Sequence, residues 1–282
     1  MRNVETLRDV VSAQSPLIGI EPSAILSFRD ECVDLVPPSL KDAAALIRVH
    51  RKSGLQAAVA YVYHVCPFLS EARRFLAKGS LGPVLHATAR SGQPFHLFRP
   101  AYARTYYNHR KTGGGAIQDA LTHVANWIGS VPGPTGSVLC DCAHLALPGV
   151  TVEDTVHLTA RNGPALAGYF LNQFQQPKES TLQFDTAGGS VKIEVHNERW
   201  GVFRAGDDDW TRHGGPVPDR DVHFTAQADA FPDQIEGRSA PACSLESAAQ
   251  TLRFNLAALA SAESGSRVHC ASLPPSPDRS RQ

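Results

Sequence analysis

The sequence predicts a fragment of a parallel α/β domain leading into an α+β domain built on one sizeable antiparallel sheet. Two observations carry this. A helical segment feeds directly into Leu55–Tyr63 (LQAAVAYVY), a continuous apolar run of strand length. Further on, between Ser137 and Arg204, alternating segments follow one another with only short polar turns between them.

In chain order, residues 1–53 open with a short helix at Val4–Val11, a mixed stretch at Pro16–Leu26 and an irregular loop at Asp30–Pro38 ending in a Pro-Pro pair. Ser39 is the predicted N-cap of the next helix, with Asp42 at its third position. That helix is alanine-rich to His50 and stops near Gly54, where the chain can turn left-handed. Leu55–Tyr63 then reads as a buried strand. A helix at Phe68–Lys78 ends in Gly79, ahead of Gly82-Pro83, and Val84–Ser91 alternates as a strand.

Residues 92–112 form a loop-like stretch dense in aromatic and basic groups: Phe95, His96, Phe98, Arg99, Tyr102, Arg104, Tyr106, Tyr107, Asn108, His109, Arg110 and Lys111. Such a stretch suits the wall of a polar pocket or an arm packed on a partner subunit, and the two are not exclusive. The strand candidates after it are Ser137–Ala146, Thr155–Arg161, Leu166–Gln175, Thr181–Thr186, Ser190–His196 and Trp200–Arg204. Asp208–Arg220 reads as a polar loop. Helices at Val222–Glu236 and Leu245–Ser264 close the pattern, the second entered by Ser244 as N-cap and ended by Gly265. Pro274–Gln282 has the composition of a disordered tail.

Composition narrows the function classes. Lys plus Arg number 27 and Asp plus Glu number 27 in 282 residues, so there is no basic excess to recruit nucleic acid. No run of 18 apolar residues occurs, which argues against a membrane span. The N-terminus MRNVETLRDVV lacks the apolar core of a secretory signal, so the expected location is cytoplasmic.

The densest chemistry lies in Gly113-Gly114-Gly115-Ala116-Ile117-Gln118-Asp119-Ala120-Leu121-Thr122-His123. Three glycines release the backbone, and Ile117, Leu121, Val124 and Ile128 then give a helix one apolar stripe. Asp119 and His123 are four residues apart and share another face. A carboxylate beside an imidazole, behind a loop that lets a ligand come close, is a proton-transfer pair; the same spacing also describes a surface ion pair. Cys140, Cys142 and His144 recur at two-residue spacing and form at most a partial metal site. Buried strand cysteines are the commoner meaning, so no metal is expected.

The segments GLQAAVAYVYHVCP, FLAKGSLGPV, RPAYARTYYNHRKTGGGAIQDALTHVANWI, VEDTVHLTARNG and FPDQIEGRSAPACSLESAAQTLRFNLAAL together resemble the Gfo/Idh/MocA oxidoreductases (glucose–fructose oxidoreductase, inositol dehydrogenase and relatives), from about Ser39 to Val268. The resemblance implies a partial, divergent Rossmann-like nucleotide-binding region at 1–82. An α+β domain for substrate and oligomerisation would follow at 83–272, with a tail at 273–282. It implies an NAD(P)-dependent oxidoreductase interconverting a hydroxyl and a carbonyl on a sugar, inositol or related polyol. By the same resemblance, His123 exchanges the proton and Asp119 orients it or binds the sugar. Tyr106, Asn108 and Arg110 would lie on the substrate side, Tyr63 and His64 near the nicotinamide of NAD or NADP, and the sheet domain would mediate a homo-oligomer.

Two departures stand beside it. No G-x-G-x-x-G occurs in residues 1–53, so the turn that would let a pyrophosphate approach the backbone is missing. The family's Glu-Lys-Pro lysine falls near Asp34, within Glu31-Cys32-Val33-Asp34-Leu35, where a carboxylate would favour protonated His123. These departures support an alternative: a truncated, non-catalytic homologue that keeps the sheet domain for sugar binding or oligomerisation.

Overall fold

The computed structural model describes residues 43–215 and 221–270. The expectations for Val4–Val11, Pro16–Leu26, Asp30–Pro38, Asp34, the Ser39 cap and Pro274–Gln282 lie outside the described residues. Helix α1 (Ala43–Ser53) and helix α2 (Pro67–Ala77) come first, α2 starting on Pro67, whose missing N–H costs nothing in a first turn. Strand β1 (Val84–Gly92) follows, and helix α3 (Thr122–Gly129) is entered through a π-turn at Ile117–Leu121.

Next come β2 (Thr135–Ala143), β3 (Thr155–Asn162), β4 (Ala165–Asn172), β5 (Glu179–Thr186), β6 (Gly189–Glu194), β7 (Arg199–Arg204) and β8 (Thr211–Gly214). Helix α4 (Asp221–Ile235), helix α5 (Leu245–Ser264) and the short β9 (Val268–His269) complete the described chain.

The nine strands of the described residues form one sheet in the order β8-β7-β6-β5-β1-β4-β3-β2-β9. Every pairing is antiparallel except β1 with β4, so the large, mainly antiparallel sheet with packing helices is as the sequence predicts. Alternation sorts the two faces. Val138, Leu158, Ala160, Tyr169, Leu171, Leu182, Phe184, Val191 and Ile193 point to the helix-covered face and are buried. There Trp127 of α3 meets Phe184 edge-on at 5.7 Å, and Tyr169 meets Phe254 of α5 at 5.6 Å. The opposite face carries Leu139, Leu166 and Phe170 exposed among polar neighbours.

Helix α5 keeps its predicted ends. Ser244 Oγ accepts the Ser247 N–H at 3.2 Å, and Gly265 ends the helix at φ 64°, its N–H on Ser261 O at 2.8 Å. The apolar stripe of the glycine-started helix is likewise internal: Ile117, Leu121, Val124 and Ile128 are all buried.

Three expectations are corrected. Leu55–Tyr63 is not a strand: the Val59 N–H goes to Cys243 O at 2.9 Å, the Tyr61 N–H returns to Val59 O at 2.8 Å, and Val62–His64 is a single 3-10 turn. Only Ala60 and Tyr61 of the run are buried and Leu55 is exposed; strand pairing needs a neighbouring backbone, and periodicity does not report one. Within the expected loop Asp208–Arg220, residues Thr211–Gly214 pair with β7 as an edge strand, although all four are exposed and polar. Residues 92–112 hold four short helical turns rather than one loop. Their aromatics divide: Phe95, Tyr102 and Tyr107 bury into a satellite core with Leu147, Val150 and Val152. At roughly 1.5–3 kcal/mol for each large apolar side chain buried, that cluster is enough to anchor the segment to its own chain.

Among the described residues no helix is long and apolar enough to cross a membrane.

Candidate active site

The π-turn and α3 carry Asp119 and His123, both half-buried. Such a turn inserted into a helix is a frequent feature of functional sites. The Tyr106 hydroxyl donates to Asp119 Oδ1 at 2.5 Å, from the short helical turn Tyr106–Asn108. His123 is flanked by two rings from the segment before α2: Tyr61 edge-on at 5.5 Å between centroids, and Tyr63 tilted at 6.1 Å. Burial pushes both phenols up to about 12, with Cys243 adding to the shift at Tyr61 and Cys66 at Tyr63. Neither tyrosine therefore ionises near neutrality. His123 is the imidazole enclosed by these two rings.

Tyr63, Tyr106, Asp119 and His123 thus come together from three separate segments. The other expected site residues divide between the neighbouring turns and the protein interior. Asn108 is half-buried in the same turn as Tyr106. Arg110 is held by two carboxylates, its Nη2 donating to Glu153 Oε2 and its Nη1 to Glu263 Oε1, each at 3.2 Å.

His64 is buried and turned into the protein. Arg73, always a donor, lies 3.2 Å from its Nδ1, which fixes Nε2 as the protonated nitrogen; that N–H donates to Asn126 Oδ1 at 2.6 Å. Asn126 passes the chain on to Thr251 Oγ1 at 2.7 Å. Burial lowers the His64 pKa, opposed by the Asn126 bond and assisted by the Arg73 charge.

The glycines do something other than admit a ligand. Gly113 and Gly115 have φ of 88° and 96°, as the sequence leads one to expect of a released backbone. Yet a Cβ on Gly114 would lie 2.1 Å from Tyr107 O, and one on Gly115 would lie 2.3 Å from Glu153 Oε1. Both positions are occupied by the protein itself, which corrects the expectation of an opening for a ligand.

Two carboxylates escaped sequence reasoning. Glu153 and Asp154 are 3% and 0% exposed. Burial pushes the Asp154 carboxyl up, but N–H groups of Leu147, Ala146 and Leu145 and the Thr155 hydroxyl outweigh it, and the pKa is lowered. Asp154 so pins the loop beneath the satellite core. The one signal available was the Glu-Asp pair entering an apolar strand, since buried acids are rare unless satisfied.

Cys140 is buried on the covered face and Cys142 half-buried after it, while His144 lies beyond the end of β2 with Nε2 2.6 Å from Leu147 O. Among the described residues no three His, Cys, Asp or Glu side chains are grouped to hold a metal ion. A cavity of 250 Å³ between α3 and α5 is lined by Asn126, Thr135, Glu246, Gln250 and Thr251 among others, and includes none of the expected site residues.

Residues 69–199 match the GFO/IDH/MocA C-terminal domain. Levoglucosan dehydrogenase in complex with NADH and levoglucosan superposes with a TM-score of 0.69 at 17% identity, over 81% of this chain and 70% of that one. An oxidoreductase domain protein from Kribbella flavida gives 0.71 at 19% identity, over 82% and 70%. An NAD binding oxidoreductase from Klebsiella pneumoniae gives 0.68 at 16%, over 81% and 70%. No curated protein matches the chain in sequence. Identities this low speak for a shared fold, and over residues 69–199 that fold is matched by the GFO/IDH/MocA C-terminal domain.

Proposed function

We propose that the chain is an NAD(P)-dependent oxidoreductase interconverting a hydroxyl and a carbonyl on a sugar, inositol or related polyol. His123 takes the hydroxyl proton in oxidation and returns it in reduction. Asp119 orients it or binds the sugar, Tyr106, Asn108 and Arg110 line the substrate side, and Tyr63 and His64 belong to the nicotinamide side. Residues 1–82 serve the nucleotide and 83–272 serve substrate and oligomerisation, with a second copy of the chain against the open sheet face. The supporting observation is the convergence of Tyr63, Tyr106, Asp119 and His123. The relatives solved with NADH, levoglucosan or L-sorbose support the choice of cofactor and substrate class.

The nicotinamide supplies the hydride acceptor when bound. The described residues do not offer the rest of that cofactor a seat: no G-x-G-x-x-G occurs, and the glycine triplet is filled by Tyr107 and Glu153. This misfit favours a second reading, a non-catalytic homologue that binds sugar or a second copy without the dinucleotide.

Titration of NADH and NADPH, followed by cofactor fluorescence or heat, separates the two. Saturable micromolar binding with turnover of a polyol supports the enzyme; no binding at millimolar cofactor sinks it. In an active chain His123→Ala should lower turnover by about 10²–10⁴-fold while cofactor affinity holds. Equal loss of both would remove His123 from proton transfer.

A further inference from the structure

Glu153, immediately before β3, is a buried carboxylate that the acid/base reading does not use. Its backbone carbonyl accepts the Ala116 N–H at 2.9 Å, and its Oε1 accepts the Ile117 N–H at 3.2 Å. The first helical N–H groups have no partner within their own helix, and Ala116 has no side chain to cap them. A segment far along the chain caps them instead. Its Oε2 accepts from Arg110 Nη2, in the short turn that follows Tyr106–Asn108. Gln118 adds to the same junction, its Nε2 donating to Arg110 O at 3.0 Å and Gly114 O at 3.2 Å.

Besides the Gln118–Arg110 bond, two further links tie residues 106–112 to the start of the helix that bears Asp119 and His123. One is the Tyr106–Asp119 hydrogen bond on the half-exposed side. The other is Arg110–Glu153–Ile117, with the carboxylate 3% exposed. We propose that Glu153 is a positioning residue that clamps the substrate-side turn 106–112 to the N-terminal turn carrying Asp119. Its catalytic consequence rests on the acid/base function proposed above; the clamp itself does not.

Hydrogen exchange by mass spectrometry on the full chain tests the clamp without any activity. Glu153→Ala should speed exchange across 106–121 at least tenfold and leave β3 and β4 protected, because it removes the acceptor of Ile117 and the partner of Arg110. Glu153→Gln keeps one carbonyl oxygen for Ile117 and should fall between the two; it also serves if the alanine variant does not fold. Unchanged exchange in either folded variant overturns the proposal. With an active chain, Glu153→Ala should raise the polyol KM tenfold or more at constant cofactor Kd, partly rescued in Glu153→Gln. A merely structural loss would lower kcat through the active fraction and leave KM alone, which also overturns it. If the wild-type chain turns over no polyol yet Glu153→Ala loosens 106–121, the clamp stands and the acid/base function falls.

Discussion

The Tyr106 hydroxyl donates a 2.5 Å hydrogen bond to Asp119 Oδ1, joining a turn of the aromatic stretch to the π-turn ahead of α3. A hydrogen bond to a charged acceptor contributes about 1.5–3 kcal/mol where water is excluded and less where it is not. Here both partners are half-buried, so the bond's main effect is on geometry. Tyr106→Phe should lower kcat/KM for the polyol about tenfold, equivalent to about 1.4 kcal/mol, with Tm nearly unchanged. Asp119→Ala should cost more, since it removes the acceptor as well. The double variant should be no worse than Asp119→Ala alone, and full additivity in that cycle would show that the two act independently.

His64 makes a prediction about pH. Burial holds its folded pKa below the ordinary value of about 6.5, so the folded chain refuses a proton that the unfolded chain accepts. The associated stability is complete above about pH 6.5 and is lost as pH falls through the lowered folded value, by up to about 1.4 kcal/mol per pH unit. Calorimetric Tm measured from pH 8 to 5 should fall in the wild type. His64→Gln, which keeps a donor for Asn126 without a titrating ring, should flatten that fall. Identical pH profiles for the two proteins would remove His64 as the source.

How far the sequence reached depended on whether a feature is local. Ser244, Gly265 and the stripe Ile117–Leu121–Val124–Ile128 were legible because caps and helical periodicity are written within a few residues. The alternating strands were legible for the same reason. Leu55–Tyr63 misled because the identity of a strand depends on a partner elsewhere, and its Val59 N–H bonds Cys243 O instead of a neighbouring strand. Polar Thr211–Gly214 was missed because an edge strand can be recruited by backbone pairing alone. Glu153 was invisible as a site residue: its partners Arg110 and Ile117 lie roughly forty positions back along the chain, and only the folded β3 end brings it to them.

The open sheet face bears on association. Leu139 of β2 and Leu166 and Phe170 of β4 are 41%, 40% and 44% exposed on the two strands that flank β3, and Phe170 contacts His157 of β3 edge-on at 5.2 Å. Apolar residues set together in this way, rimmed by polar ones, suit an interface with a second copy. Sedimentation at micromolar concentration should then give a dimer or larger species. Phe170→Glu should weaken it at least tenfold without changing the far-ultraviolet spectrum. A wild-type chain that stays monomeric at 100-fold higher concentration would sink the assignment of this face.

Gly115 distinguishes packing from ligand approach. At φ 96° any side chain is strained, and a Cβ would also lie 2.3 Å from Glu153 Oε1, a buried atom already engaged to Ile117. Gly54 provides the control, since its φ is 68° and nothing lies within 4 Å of its added Cβ. Gly54→Ala should therefore show the backbone cost alone, about 1 kcal/mol. Gly115→Ala should cost about 2–4 kcal/mol, because the carboxylate must also leave its seat. In a Glu153→Ala background the added penalty should shrink toward the Gly54 value, a non-additivity expected of two groups competing for one space. Had the glycine existed only to let a pyrophosphate approach, Gly115→Ala would instead lose cofactor affinity at undiminished stability, and the Glu153 background would make no difference.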